Sequence, residues 1–140
     1  MIAYRFLEGG IPATVVSDLG ALLAQASVGW STVAMKDVLS VNHHSRLLLA
    51  VDEGLAHDRI VGMAVLAPVR FLTGNCAMVG DLIVHRKYEG RDIDLGLVER
   101  IVAAARKDKK TWVFAVPAKA DRLFARAGFT AFGDAVRLAL

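Results

Sequence analysis

"GDLIVHRKYEGRDIDLGLVERIVAAAR", residues Gly80 to Arg106, holds three kinds of pattern in a row. "DLIV" is largely apolar and β-prone, and "HRKYEGRD" is charged and interrupted by Gly90. The remainder is periodic: Leu97, Val98, Ile101, Val102 and Ala105 recur at helical spacing, with Glu99, Arg100, Arg106 and Lys107 off that stripe. The stretch reads as strand, loop and amphipathic helix. Its strand starts further back, in "CAMVGDLIV". "TWVFAV" beyond the helix reads as another strand, stopped by Pro117. Residues 77 to 116 thus spell strand, crossover helix and parallel strand, a unit expected to be right-handed.

Outward from that unit, "IAYRFL" is β-prone and closes at the turn signal "EGG". Val15, Val16, Leu19, Leu22, Leu23 and Ala26 give a helix over 14–27, broken by "GWST". A shorter helix is expected from Val33 to Leu39. "RLLLAVDEGLAHDRIVGMAVLAPV" reads as two strands around a turn at Glu53 to Asp58. Lys119 to Ala127 reads as a short helix ending at Gly128, and "AVRLAL" as a last strand. The order β-α-α-β-β-β-α-β-α-β implies a mixed sheet with helices packed on it.

A chain of 140 residues with 55% apolar content suffices for one core, so a single domain over 1–140 is expected. The formal charge of +3 is mild, and its basic excess lies between Arg86 and Arg126. That excess fits an anionic ligand or a solvated helix face. No arginine-rich run interleaved with aromatics points to nucleic acid. One cysteine, Cys76, permits no internal disulfide, and no cysteine–histidine spacing resembles a metal site. With neither a leader-like start nor a spanning apolar run, no membrane association and a cytoplasmic setting are expected.

Four stretches, in this order, resemble the GNAT N-acyltransferase family. "GWS" near position 30 is similar to a substrate-side helix break, and "IVGMAVL" to a strand with an Ile/Val-Val-Gly step. Residues 80–106 resemble the signature strand, loop and helix, in which a tyrosine precedes Arg-Gly-x-Gly-x-Gly. "ADRLFARAGFTAFGD" resembles the closing helix and turn. The resemblance implies an α/β (α+β) fold, a central mixed sheet flanked by about four helices. It implies acetyl-CoA as co-substrate, a primary amine of a small molecule or protein as acceptor, and direct transfer. A homodimer is a further expectation, because "AVRLAL" would leave an apolar strand edge.

The same resemblance assigns residues. Leu82, Ile83 and Val84 would border the pantetheine arm, with the Val84 amide as oxyanion donor. Gly90, Arg91, Asp92, Ile93, Asp94 and Leu95 would bind the pyrophosphate through loop amides and a helix N-terminus. Asp81 is the candidate general base, Trp30 and His44 candidate acceptor-site residues, and Phe124 stands where the family's general-acid tyrosine is usual. Glu53 is a poorer candidate base, His43 shares the acceptor-cleft reading of His44, and His85 falls where family members often have a residue of no catalytic role.

The loop departs from its pattern. Aligned on Gly90, Arg-Gly-x-Gly-x-Gly reads Glu89-Gly90-Arg91-Asp92-Ile93-Asp94. Glycine lets phosphate oxygens approach backbone N–H groups; aspartate substitutes a like charge. Two readings stay open. Asp94 caps the helix and the carboxylates fill the anion site, or the loop still binds CoA through main-chain amides. The first favours a catalytically impaired binding or regulatory protein that does not use acetyl-CoA; the second favours an enzyme.

Overall fold

Aliphatic and β-branched runs pair into a seven-stranded sheet in the computed structural model, which describes residues 1–8, 12–26, 45–54, 57–72, 74–116, 122–133 and 135–140. The strands are β1 (Ile2–Phe6), β2 (Arg46–Asp52), β3 (Arg59–Phe71), β4 (Gly74–Val84), β5 (Trp112–Ala115), β6 (Thr130–Phe132) and β7 (Ala135–Ala139). Their spatial order is β1-β2-β3-β4-β5-β7-β6. Every pairing is antiparallel except β4 with β5, where the crossover predicted from the sequence brings the strands side by side.

Three α-helices lie among the described residues: α1 (Ala13–Gln25), α2 (Ile93–Lys107) and α3 (Leu123–Arg126), with a 3-10 turn at Arg86–Tyr88. This agrees with an α/β sheet flanked by helices. The helix expected at Val33 to Leu39 falls outside the described residues, as do Trp30, His43 and His44.

β2 explains why both sheet faces are covered. Its residues are apolar in succession, so period-2 alternation aims Leu48 and Ala50 at one face and Leu47, Leu49 and Val51 at the other. The first face packs on the predicted stripe of α2, where Leu97, Val98 and Ile101 are fully buried. The second packs on Leu19, Leu22 and Leu23 of α1. Gly62 on β3 gives room where Leu97 crosses: an added Cβ would stand 3.3 Å from both Leu97 Cδ1 and the Ala50 Cβ. Gly96 does the same for α2, since a Cβ there would run into the Tyr4 phenol.

One strand was not anticipated. Residues 130–132 form β6, which pairs with β7 through Ala131 and Val136. Three exposed residues after a glycine carry too little pattern to announce a strand.

Candidate active site

β4 and β5 pair over only four residues each, Cys76–Val79 with Trp112–Ala115. β5 then ends, whereas β4 continues to Val84 along β3. A gap opens between them, which the resemblance leads one to expect.

What the sequence does not announce is how β4 turns its amides into that gap. Near its start, Thr111 N–H donates to Asn75 O at 2.7 Å, so odd-numbered residues present their backbone groups to β5. Strict alternation would leave Ile83 and His85 facing the gap. Instead His85 N–H donates to Val61 O at 2.8 Å, toward β3. The alternation has slipped by one residue at a β-bulge opposite Ala64, where the pairing jumps from Val65–Gly80 to Met63–Ile83. Asp81, at φ 47°, makes the slip. Beyond the bulge the even-numbered residues Leu82 and Val84 face the gap. Their side chains also stay on the α2 face with Ala77 and Val79, so the core is undisturbed.

A side chain from α1 fixes the end of this strand. Gln25 Nε2 donates to Val84 O at 2.8 Å, and Arg86 N–H donates to Gln25 Oε1 at 2.9 Å. A polar residue at the end of an apolar helix gives no sequence signal of such a role.

The gap is the mouth of a cavity of about 720 Å³, within the range of small-molecule sites. One wall is β4 from Met78 to Val84, with Asp81 at the bulge. Opposite stand Val116, Leu123 and Phe124. Tyr88, Glu89, Gly90, Ile93 and Asp94 close the third side. Phe124 is buried and packs edge-on against Phe129, with ring centroids 5.3 Å apart. The structure thus brings together Asp81, Leu82, Ile83, Val84, Gly90, Ile93, Asp94 and Phe124. Arg91, Asp92 and Leu95 stand back from the cavity.

The loop keeps a glycine-type backbone with one of the three glycines. Gly90 has φ 78°, and Asp92 has φ 57° with no side-chain cap on the helix. Asp and Asn are the non-glycine residues that tolerate this region best. The sequence expectation that Asp94 caps α2 is corrected. Asp92 is the N-cap residue, its C=O accepting from Gly96 N–H at 3.0 Å, and Asp94 lies in the first turn. Asp94 Oδ1 nevertheless accepts from Leu95 N–H at 2.8 Å, so one helix-terminal amide is already occupied by a carboxylate. The Asp92 carboxylate points to Arg126, 3.0 Å away and exposed.

A polar cluster anchors the loop from behind. Tyr88 OH donates to Asp52 Oδ2, and Gly54 N–H donates to Asp52 Oδ1 at 2.9 Å. The Tyr88 hydrogen bond, then that of Gly54, holds the Asp52 carboxyl below its ordinary range. The same bond, followed by burial, raises the Tyr88 phenol. Arg91 lies over the Tyr88 ring at 4.8 Å. His85 Nε2 is 3.1 Å from an Arg59 guanidinium nitrogen, and Lys87 N–H points at Nδ1 from 3.1 Å. Burial first, then the charges of Arg59 and Lys87, push the imidazole below its usual value. Asp52 and Tyr88 were not among the expected site residues; no local spacing relates positions 36 apart.

The fold has many solved counterparts. Glucosamine-6-phosphate N-acetyltransferase from Arabidopsis thaliana is 16% identical, with a TM-score of 0.75 over 95% of this chain and 94% of that one. The structure described as the NatC complex bound to Gag peptide and CoA gives 17% and 0.80, over 99% of this chain and 98% of that one. A GNAT family acetyltransferase from Brucella melitensis in complex with acetyl-CoA gives 15% and 0.70, over 99% and 88%. These likenesses establish the fold. No curated protein sequence matches significantly. The sequence profile described as "Acetyltransferase (GNAT) family" matches residues 19–129, most of the chain. The chain therefore belongs to the GNAT acetyltransferase family.

Proposed function

We propose that the protein transfers an acetyl group from acetyl-CoA to a primary amine by direct attack. The observation carrying this reading is the bulge at Asp81, which turns the Leu82 and Val84 backbone toward a gap that β5 does not fill. An N–H aimed there is suited to polarise a thioester carbonyl and hold its developing negative charge. The amine lone pair would form the C–N bond, the C–S bond would break, and the nitrogen would lose a proton. Asp81, exposed on the cavity wall, is the base on this reading, reached directly or through water.

The chain's own residues fit a CoA-type diphosphate in part. Gly90 is open, with nothing within 4 Å of where a side chain would begin. α2 is long enough to present a positive N-terminal end. Against this, Asp94 holds the Leu95 amide and adds charge to the cavity rim. Binding weaker than an all-glycine loop would give is expected. Phe124 has no proton to offer the leaving thiolate, so water would protonate it. Loss of a general acid costs about 10²–10⁴ in rate without abolishing turnover.

The acceptor is proposed only as a primary amine. Structures of this fold include a sugar-phosphate acetyltransferase and a peptide-bound complex, which leaves both small-molecule and protein amines in view. We place the enzyme in the cytoplasm, with a homodimer as its assembly. Calorimetric titration with acetyl-CoA and CoA at low salt tests the reading. Micromolar binding, followed by thiol release with an amine panel, supports it; no heat at millimolar ligand overturns it in favour of a regulatory module.

A further inference from the structure

β3 has 13 residues and β4 has 11, whereas the helix that covers them has 15. At about 3.3 Å per strand residue and 1.5 Å per helix residue, β3 spans roughly 43 Å and α2 roughly 22 Å. The hairpin outruns its helix. Where α2 stops, the sheet face it was covering is left open, and a second cavity of about 440 Å³ lies there.

This cavity shares no lining residue with the acyl-transfer cavity. Its floor is apolar, made by Leu66, Pro68, Ala77 and Ala105. Pairing places the polar residues on the same face: Arg46 lies opposite Leu66 on β2, and Arg70 lies opposite Asn75 at the hairpin end. Lys110, from the turn after α2, completes a set of three cations against one carboxylate, Asp108. Three positive charges less one negative leaves two positive.

Arg46 is held in place, its guanidinium 3.8 Å from the centroid of the Phe6 ring and 3.9 Å from Asp108 Oδ2. Arg70 is exposed. The negative end of the helix is also muted: the Ala104, Ala105 and Arg106 carbonyls accept from Asp108, Lys110 and Lys109 N–H groups, each at 3.0 Å.

We infer that this cavity is a second binding site, for a small carboxylate carrying an apolar body. The apolar floor takes the hydrocarbon, and Arg70 with Arg46 takes the carboxylate through the forked geometry that guanidinium offers. A monoanion is favoured over a dianion because Asp108 and the residual dipole of α2 lie beside the head group.

Octanoate is a suitable probe, followed by backbone amide chemical shifts in the intact protein at low salt. Saturable shifts are expected at Leu66, Asn75, Ala77 and Ala105, and not at Val84 or Gly90. Octanol, of the same body without the charge, should bind at least about ten-fold more weakly, the effect of one charge-assisted contact of about 1.4 kcal/mol. Arg70→Glu, on an exposed position that leaves the core alone, should abolish the octanoate shifts. Arg46→Ala should weaken binding about ten-fold; because Arg46 also packs on Phe6, its thermal midpoint is measured alongside. Octanol binding as tightly as octanoate, phenyl phosphate binding tighter, or shifts that survive Arg70→Glu would each overturn the assignment. So would the absence of saturable shifts.

Discussion

Asp92 and Asp94 act on the loop in different ways. Asp92 occupies a left-handed conformation that glycine adopts without cost, and its carboxylate contributes only an exposed pair with Arg126, worth at most about 1 kcal/mol. Asp94 holds a backbone amide and faces the cavity. Replacing both by glycine is predicted to strengthen acetyl-CoA binding by about 5- to 1000-fold, since a unit charge near a diphosphate costs on the order of 1–4 kcal/mol. Low-salt calorimetry on the double variant measures it, and unchanged affinity would show that the carboxylates are not the obstacle. Gly96 illustrates the opposite case, a glycine with ordinary helical angles that is required by a neighbour. Gly96→Ala forces the Tyr4 ring aside and is predicted to lower stability by about 1–3 kcal/mol in urea unfolding. The Asp52–Tyr88 bond predicts a pH effect of definite sign. Asp52 is depressed in the folded state, so its contribution is present above the usual carboxylate value and is lost as pH falls through the folded one. Tyr88 is raised, so its contribution is present below the ordinary phenol value near 10 and is lost as pH climbs above it. In Tyr88→Phe both limbs of the stability–pH curve should flatten, as read from urea midpoints between pH 2 and 11.

At the scale of elements, β4 is the working part, and its bulge was hidden from sequence reasoning. A run such as "CAMVGDLIV" gives the strand and its length, but the slip depends on the left-handed backbone of Asp81, a residue type that also fits an ordinary strand end. The helix start was misread for a similar reason. Asp94 has the right chemistry for a cap, yet backbone angles put Asp92 there. By contrast, the apolar stripe of α2 was legible because five residues repeat it. Two variants separate the strand's geometry from its chemistry. Asn tolerates Asp81's backbone, so Asp81→Asn keeps the bulge and is predicted to lower kcat by about 10² if the carboxylate is the base. A variant with wild-type kcat would leave Asp81 a purely structural role. Gln25→Ala cuts both hydrogen bonds to the end of β4 and is predicted to raise KM for acetyl-CoA several-fold. Gln25→Glu should fall between, since it keeps the acceptor for Arg86 N–H and loses the donor to Val84 O.

On the scale of the whole molecule, the sheet is two parts joined by one short parallel seam between β4 and β5, with α2 as the crossover in the chain between them and packed on the β1–β4 part. The element order and the crossover were readable because each rests on many residues. The gap beyond the seam was expected only through the family likeness, since no local pattern says where two distant strands stop pairing. Amide exchange should report the division: Ala77 and Val79, inside the seam, exchange slowly, whereas Leu82 and Val84 exchange fast until acetyl-CoA is added. Among the described residues no helix is long and apolar enough to cross a membrane.

The left-handed turn at Asp92 also bears on the loop's history and its future. Aspartate and glycine codons can differ in a single middle base. A backbone already folded as glycine would fold it needs no rearrangement to accept the change. Position 92 is therefore one point mutation from the phosphate-loop residue of its family, and that step would leave the loop's backbone as it stands.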